Sequence, residues 1–221
     1  MLISPVRRLA VATLLALLAC SLAGCWNPFA PNENDGGGGG QADYRIRTTH
    51  ENIIHNIETA YEYRNAVEYL DCLSEDFVFY PSDRDVQDPE LNIPPEWFKT
   101  DETSMHNNMF DDSSDVESIS LTLTVIDTTS FQNEPGNPDD DEWVYEVGVD
   151  LRVNVMGGLT YLATTPSEYH FRRDGDQTGP NGEELREIFK WYDLDERGGR
   201  TNDDPNVRIV SLAEMKSLFF D

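Results

Sequence analysis

The stretch from Trp143 to Val155 restricts the possible fold more than any other part of the chain. Its odd-numbered positions are all apolar or aromatic, whereas its even-numbered positions include Glu146, Asp150 and Arg152. Side chains of a β-strand point to alternate faces of a sheet, so this period of two predicts a long strand with one buried face. The opposite register would bury three charged groups, which is far more costly than burying apolar ones. We therefore expect the odd-numbered face to pack on helices.

The alternation continues in the neighbouring segments. Apolar residues over 119–125 alternate with Ser and Thr, and an acidic loop over 133–142 follows them. The Gly-Gly pair at 157–158 indicates a hairpin turn. The return strand begins at Leu159 and is expected to break at Pro166, because proline cannot donate to a strand ladder. A bulge near the middle of the 143–155 strand would shift this register.

These three strands would form an inner wall without an acid, a histidine or a lysine. Its polar groups would be the hydroxyls of Tyr145 and Tyr161 and the indole of Trp143. General acid–base catalysis would then need groups from elsewhere, chiefly Asp76 or the loops.

The first part of the folded region has a helical period instead. Thr48 and Glu51 have the spacing of a capping box, and apolar residues over 53–61 recur at helical intervals. A second short helix is expected after Asn65, and a strand over 76–80 follows it.

Three further segments complete the expected secondary structure. Residues 81–95 are expected to form a loop, and Pro95 suits the first turn of a helix that carries Trp97, Phe98 and Met105. A last strand is expected over 187–192, residues 195–207 form a loop, and residues 211–220 form a short amphipathic segment. Helices followed by long antiparallel strands predict an α+β fold.

Three segments carry a resemblance to a known superfamily: Ile53-Ile54-His55-Asn56-Ile57, Asp76-Phe77-Val78-Phe79-Tyr80 and Ile188-Phe189-Lys190-Trp191-Tyr192-Asp193-Leu194. The region they span, about residues 48–194, resembles the nuclear transport factor 2-like (NTF2-like) superfamily near its SnoaL-like and polyketide-cyclase-like members. The resemblance implies a cone, in which a curved antiparallel sheet wraps N-terminal helices and leaves an apolar pocket at the wide end. Such packing motifs specify a fold far better than an activity.

Some members of that superfamily are ketosteroid isomerases, which place carboxyl groups and a tyrosine in an apolar pocket. Asp76 is the carboxyl group that this chain would offer. The candidate pocket residues are aromatic: Tyr61, Tyr80, Trp97, Trp143, Tyr145 and Tyr161. The alternative is that the tyrosines are core residues with hydroxyls at the edge, and we favour it.

No metal or cofactor is expected. The four histidines lack metal-ligand spacing. His50 and His106 stand in polar stretches, and all four are interpreted as structural or exposed side chains. The run from Asp174 to Gly179 approaches a calcium loop but has Leu185 at the twelfth position instead of Glu. The chain also lacks a nucleophile elbow, a phosphate loop and a dinucleotide fingerprint.

The N-terminus has the layout of an export signal. Arg7 and Arg8 precede an uncharged apolar run over 9–22, which is too short to span a bilayer. The following Leu22-Ala23-Gly24-Cys25 resembles the lipobox of bacterial lipoproteins. That resemblance implies lipidation of Cys25, cleavage after Gly24 and stable attachment by more than one acyl chain. Many lipoproteins kept in the inner membrane have Asp after the cysteine, so Trp26 favours the outer membrane if the organism has one.

The charge and cysteine composition limit the kinds of molecule that the chain can bind and the bonds that its cysteines can form. The full chain has 16 Lys+Arg against 42 Asp+Glu, a net charge of −26. Removal of residues 1–24 would take away Arg7 and Arg8, leaving 14 basic against 42 acidic residues, or −28. Such a charge repels nucleic acid, so DNA or RNA binding is not expected. Cys20 would leave with the signal and Cys25 would carry lipid, so Cys72 would be an unpaired, buried and inert thiol.

We therefore predict a signal peptide at 1–24, a lipidated, glycine-rich flexible tether at 25–47, which would span roughly 25 Å, and an NTF2-like domain at 48–221. The first functional hypothesis is a non-catalytic, lipid-anchored domain of the cell envelope. It would bind a small apolar ligand or a protein partner, or form a homodimer through the outer sheet face. The second is an envelope enzyme of the ketosteroid-isomerase or polyketide-cyclase type, which Asp150 or His170 inside the cone would favour. A scaffold with a filled cone is the third.

Overall fold

The computed structural model describes residues 42–132, 141–194 and 204–220, which form an α+β fold, as predicted. Its helices are α1 (His50–Glu62), α2 (Ala66–Asp71), α3 (Asp83–Gln87), α4 (Lys99–Phe110) and α5 (Leu212–Ser217). Its strands are β1 (Leu73–Tyr80), β2 (Trp97–Phe98), β3 (Val116–Gln132), β4 (Asp141–Val155), β5 (Leu159–Thr178), β6 (Glu184–Asp193) and β7 (Val207–Ile209). The signal segment, Cys25, most of the tether and most of the acidic loop lie outside the described residues.

The strands form a curved, open sheet in the order β2-β1-β6-β5-β4-β3, with β7 paired to β5. The neighbours β3–β4, β4–β5 and β5–β6 are antiparallel, as the sequence pattern predicts. β1 pairs with β6 in parallel, and so does β7 with β5. These two pairings join segments far apart in the chain, so no local turn pattern in the sequence predicts them.

The alternation in β4 is confirmed. The odd-numbered side chains from Tyr145 to Val153 are buried, whereas Asp150 and Arg152 on the other face are exposed. β4 keeps an unbroken register with β5 past Gly148. The hairpin at Gly157 and Gly158 is also confirmed, since both have positive φ angles that glycine adopts without strain.

A bulge does occur, but in β3 and not in β4. The β3–β4 register shifts between Val125 and Asp127. One extra residue in a strand reverses the faces of the side chains beyond it. Val125 pairs with the buried Val147 just before this shift, and it is 40% exposed, next to Ile126 at 57%.

The predicted break at Pro166 is wrong, because β5 runs through it. The Pro166 carbonyl accepts a hydrogen bond from the Leu194 N–H at 3.1 Å. The N–H and C=O of one residue in an antiparallel ladder face the same neighbour, so the N–H that proline lacks would face this side too. At Pro166, β5 has left its pairing with β7 and has not yet begun its pairing with β6, which starts at Ser167. No backbone N–H is therefore needed at this position.

Two helix starts also differ from the prediction. Thr49, not Thr48, caps α1, and its hydroxyl accepts from the Asn52 N–H. Pro95 does not open a helix, because Trp97 and Phe98 pair with β1 as the short strand β2. α4 begins after them, and part of the expected 81–95 loop forms α3.

The core lies between the inner face of the sheet and the helices. α1 contributes Ile53, Ile57 and Tyr61, all of which are at most 1% exposed. The carboxylate of Glu58, on the same helix, accepts a hydrogen bond from the Leu123 N–H at 2.7 Å on the edge strand β3. Thus α1 covers the inner face of the sheet and also supplies a hydrogen-bond partner to the free edge of β3.

Candidate functional site

One end of the inner sheet face carries a histidine niche, formed by His50, Trp143, Tyr145 and Phe171. The three aromatic rings lie 4.8 to 5.1 Å from the imidazole, measured between ring centroids. Trp143 pairs with Phe171 across β4 and β5, and His50 stands at the first turn of α1. The niche therefore depends on the docking of α1 onto the sheet. His50 is 8% exposed.

Hydrogen bonding fixes which imidazole nitrogen is free. The Tyr145 hydroxyl lies 3.0 Å from His50 Nδ1 and donates to Glu51 Oε1 at 3.3 Å. A hydroxyl has one proton, so its oxygen must accept from His50 Nδ1–H while it donates to the carboxylate. His50 Nε2 then carries the lone pair, and it is buried without a hydrogen-bond partner. An acceptor in this position is suited to an O–H or N–H of a ligand.

Charge in the niche supports this arrangement. Burial, and next to it the Arg186 guanidinium, lowers the pKa of His50 to about 4, so the imidazole is neutral at pH 7. Hydrogen bonds from its own backbone N–H and then from Thr49 lower the pKa of Glu51, which keeps that carboxylate ionised. Burial, and then Glu51, raises the pKa of Tyr145, which keeps its proton.

Two arginines, Arg186 and Arg47, contact the niche and the chain next to it. The Arg186 guanidinium lies 4.2 Å from the centre of the Trp143 ring, and its Nε donates to the Thr48 carbonyl at 3.2 Å. Arg47 donates to the Arg186 carbonyl at 2.8 Å and forms an ion pair with Asp174 at 3.3 Å. These contacts connect the residues before α1 to β5 and β6.

A second polar group, the interior cluster, consists of Tyr61, Tyr69, Glu102, His106 and Lys216. All five are at most 1% exposed. Tyr69 donates to Glu102 Oε2 at 2.8 Å, and the Lys216 ammonium lies 2.5 Å from Glu102 Oε1. His106 Nδ1 donates to the Glu102 carbonyl, which can only accept, so His106 Nε2 accepts from the Tyr61 hydroxyl at 2.8 Å.

The protonation states of the interior cluster follow from burial. Burial, and then Lys216, holds the pKa of His106 well below its usual value, so this imidazole stays neutral. Burial, and then Glu102, raises the pKa of Tyr61 and Tyr69 well above the usual value, so both remain donors. Each polar atom named in the cluster is satisfied by another, and none of the five side chains reaches solvent. This sealed arrangement stabilises the interior, and with Lys216 in place it gives a small molecule no access.

The six predicted pocket residues do not form one pocket. Trp143 and Tyr145 lie in the histidine niche, and Tyr61 belongs to the interior cluster. Trp97 is buried against Phe79 and Phe220, and Tyr161 is half-buried against the core. Tyr80 lies on the outer sheet face, where it stacks on Tyr192 with 4.6 Å between ring centroids.

Asp76 and His170, the candidate catalytic groups of the sequence, both lie away from the interior. Asp76 is exposed and pairs with Arg172, and that pairing lowers its pKa. His170 contacts Glu142 and Glu168 on the outer face, where its ring also meets Tyr192. On the inner face of β4, the buried side chains from Tyr145 to Val153 include no acid, histidine or lysine. Ionisable groups reach the interior from α1, α4 and α5 instead.

Sequence reasoning missed the residues that matter most here. His50 and His106 stand among polar residues in sequence, but both are buried. The signal was available in part, since His106 follows Glu102 by one helical turn and Met105 and Met109 mark the same buried side. Lys216 gave no signal, because its partner lies 114 positions earlier.

Three further observations concern the described residues. Cys72 is buried and free, and burial raises the pKa of its thiol far above the usual value. No group of three or more His, Cys, Asp or Glu side chains in these ranges could hold a metal ion. Over the same part of the chain, no helix has the length and apolar character needed to cross a membrane.

The chain matches no protein-family model and no curated protein. Similar solved structures include a conserved protein from Planctomyces limnophilus (11% identity, TM-score 0.45), with 65% of this chain and 90% of that chain covered. Others are an NTF2-like protein of unknown function in nutrient uptake from Rhodospirillum rubrum (13%, 0.42, 63% and 92%) and a ketosteroid isomerase-like protein from Erwinia carotovora atroseptica (10%, 0.41, 66% and 93%). At this level of similarity, these structures say nothing about the activity or ligand of this chain.

Proposed function

We propose that this chain is a non-catalytic, lipid-anchored protein of the cell envelope. Its folded domain binds a small, largely apolar molecule that carries an O–H or N–H group. The binding site is the histidine niche. The ligand's apolar body packs on Trp143 and Phe171, and its polar hydrogen is donated to His50.

One observation carries the proposal: His50 Nε2 is a buried acceptor without a partner, ringed by aromatic side chains. A buried polar atom left unsatisfied costs about 1–3 kcal/mol, so a protein gains by supplying it with a partner. Apolar walls with a few placed polar groups are typical of small-molecule sites. Glu51 and Trp143 reach the surface, so the niche adjoins solvent.

An isomerase-type or cyclase-type enzyme is the second candidate, and the free lone pair of His50 is what favours it. An imidazole in this position could remove a proton from a bound substrate. However, a general base works best when its pKa lies near the working pH, and the pKa of His50 is lowered to about 4. The imidazole is therefore better suited to accept a hydrogen bond than to take a proton.

The test is extraction of the small molecules carried by the purified full chain, followed by mass spectrometry. We expect a retained compound in the wild type, and a loss of about 5- to 10-fold in H50Q and W143A, because each removes a contact worth on the order of 1 kcal/mol. H55Q is the matched control, since His55 lies on α1 outside the niche and bonds to the Asp43 carbonyl. Equal amounts in all four proteins, or none in the wild type, would contradict the proposal.

Attachment through Cys25 is tested separately. Wild-type protein should incorporate a palmitate analogue and partition into detergent, because the residues up to Cys25 supply the full lipobox pattern. C25A should do neither, and C72A should behave as wild type. Labelling of C25A at the wild-type level would show that the anchor is wrong.

A further inference from the structure

The ammonium group of Lys216 lies in a cage made by residues from three other elements. Its Nζ is 4.4 Å from the centre of the Phe79 ring and 4.5 Å from that of Trp191. Glu102 Oε1 is 2.5 Å away. Two aromatic faces and one carboxylate around a cation are the arrangement by which proteins recognise organic ammonium groups.

The other members of the cage are held by contacts that do not involve α5. Phe79 and Trp191 are paired neighbours on β1 and β6, and their rings meet edge to face. Glu102 is held from α4, and its second carboxylate oxygen accepts from Tyr69. Lys216 is the one member of the cage that comes from α5.

Lys216 also enters the cage as the end of a short segment that packs over the interior. α5 has six residues and buries Leu212, Ala213 and Met215 beside the lysine. The chain then continues to Phe220, whose ring lies 5.0 Å from that of Trp97. The C-terminal segment thus covers the cage with its own side chains.

We infer that the interior of the sheet is a binding site for a primary organic ammonium group, and that this chain fills the site itself with Lys216. A diffusible alkylammonium and Lys216 exclude one another, because both need the same carboxylate oxygen and the same aromatic faces. The site is distinct from the histidine niche and carries a ligand of opposite character, a cation in place of a neutral donor.

The test removes the internal occupant and supplies an external one. In the full chain, K216A should regain stability when n-propylammonium is added, with a rise in Tm that grows with the logarithm of the amine concentration above Kd and reaches about 5–10 °C at a concentration about 100 times Kd. 1-Propanol at the same concentrations should give no such rise, because it lacks the charge. K216A/E102Q should lose the response to the amine.

K99A is the matched control, since Lys99 also pairs with a carboxylate, Glu75, but at the surface. An amine response in K99A equal to that of K216A would overturn the inference, and so would a response to propanol equal to that of the amine. If K216A does not fold alone, its refolding yield with and without propylammonium gives the same decision. Recovery with the amine supports the ammonium site, and no recovery refutes it.

Discussion

His50 and His106 are neutral for the same physical reason, yet they suit different roles. Both have a lowered pKa because burial disfavours the imidazolium form. Both nitrogens of His106 have partners, so it completes a sealed network. His50 has one partnered and one free nitrogen, which is why the niche, and not the interior cluster that Lys216 fills, is the candidate for ligand binding in the intact chain.

The lowered pKa of His50 makes stability depend on pH. Its folded pKa of about 4 is below the value of 6.5 in the unfolded chain, so the unfolded state binds more protons between these values. The free energy of unfolding should therefore fall as pH drops from 6.5 to 4, by on the order of 2 kcal/mol after allowance for solvent screening.

Urea unfolding of wild type and H50Q over this range measures the effect, because glutamine does not titrate. As pH falls, the free energy of unfolding should decrease more in the wild type than in H50Q. H55Q serves as the comparison. Parallel pH curves for wild type and H50Q would show that His50 is not held neutral.

The buried pair of Glu102 and Lys216 predicts strong coupling. E102A or K216M leaves one charge buried and unpaired, which should cost about 3–5 kcal/mol. The double variant E102A/K216M should be less destabilised than the sum, by at least about 2 kcal/mol. The surface pair of the exposed Glu75 and the half-buried Lys99 is the control, with a coupling below about 1 kcal/mol by the same denaturation measurement. Similar coupling in both pairs would contradict a sealed interior.

At the scale of elements, β4 organises the fold because its two faces differ so strongly. Leu151 is 1% exposed on the inner face, and its neighbour Arg152 is exposed on the other. L151A should lower stability by about 2–5 kcal/mol, whereas R152A should change it by no more than about 0.5 kcal/mol. Chemical denaturation of the two variants checks this, and equal effects would mean that the register is shifted.

The elements show what sequence can and cannot predict. The faces of β4 follow from a period of two that the chain cannot satisfy in any other way. The continuation of β5 through Pro166 could not be predicted, because it depends on where along β5 the pairing with β7 stops and the pairing with β6 starts. The meeting of Glu102 on α4 with Lys216 on α5 is a tertiary contact, and no local pattern encodes it. In the histidine niche, the sequence predicted two of the three aromatic members, Trp143 and Tyr145, but neither Phe171 nor His50.

At the scale of the whole molecule, the net negative charge lowers the stability of the folded state. The chain carries a net charge of −26. Repulsion among so many like charges destabilises a folded state, and salt screens it. We expect Tm to rise between low salt and about 0.5 M NaCl, where the Debye length is roughly 4 Å. Thermal melts at several NaCl concentrations measure this, and a flat or falling Tm would show that the charges are too far apart to matter.

The central claim is that the free nitrogen of His50 accepts a hydrogen bond from a small apolar ligand. The most direct test is nuclear magnetic resonance of the full chain with ¹⁵N-labelled histidine, titrated with phenol and with toluene as the probe that lacks the donor. With four histidines in the chain, the spectrum is simple to assign. Phenol should shift the His50 Nε2 resonance saturably, toluene should not, and W143A should weaken the response. If phenol leaves His50 Nε2 unchanged, or shifts His55 and His170 equally, the claim is contradicted.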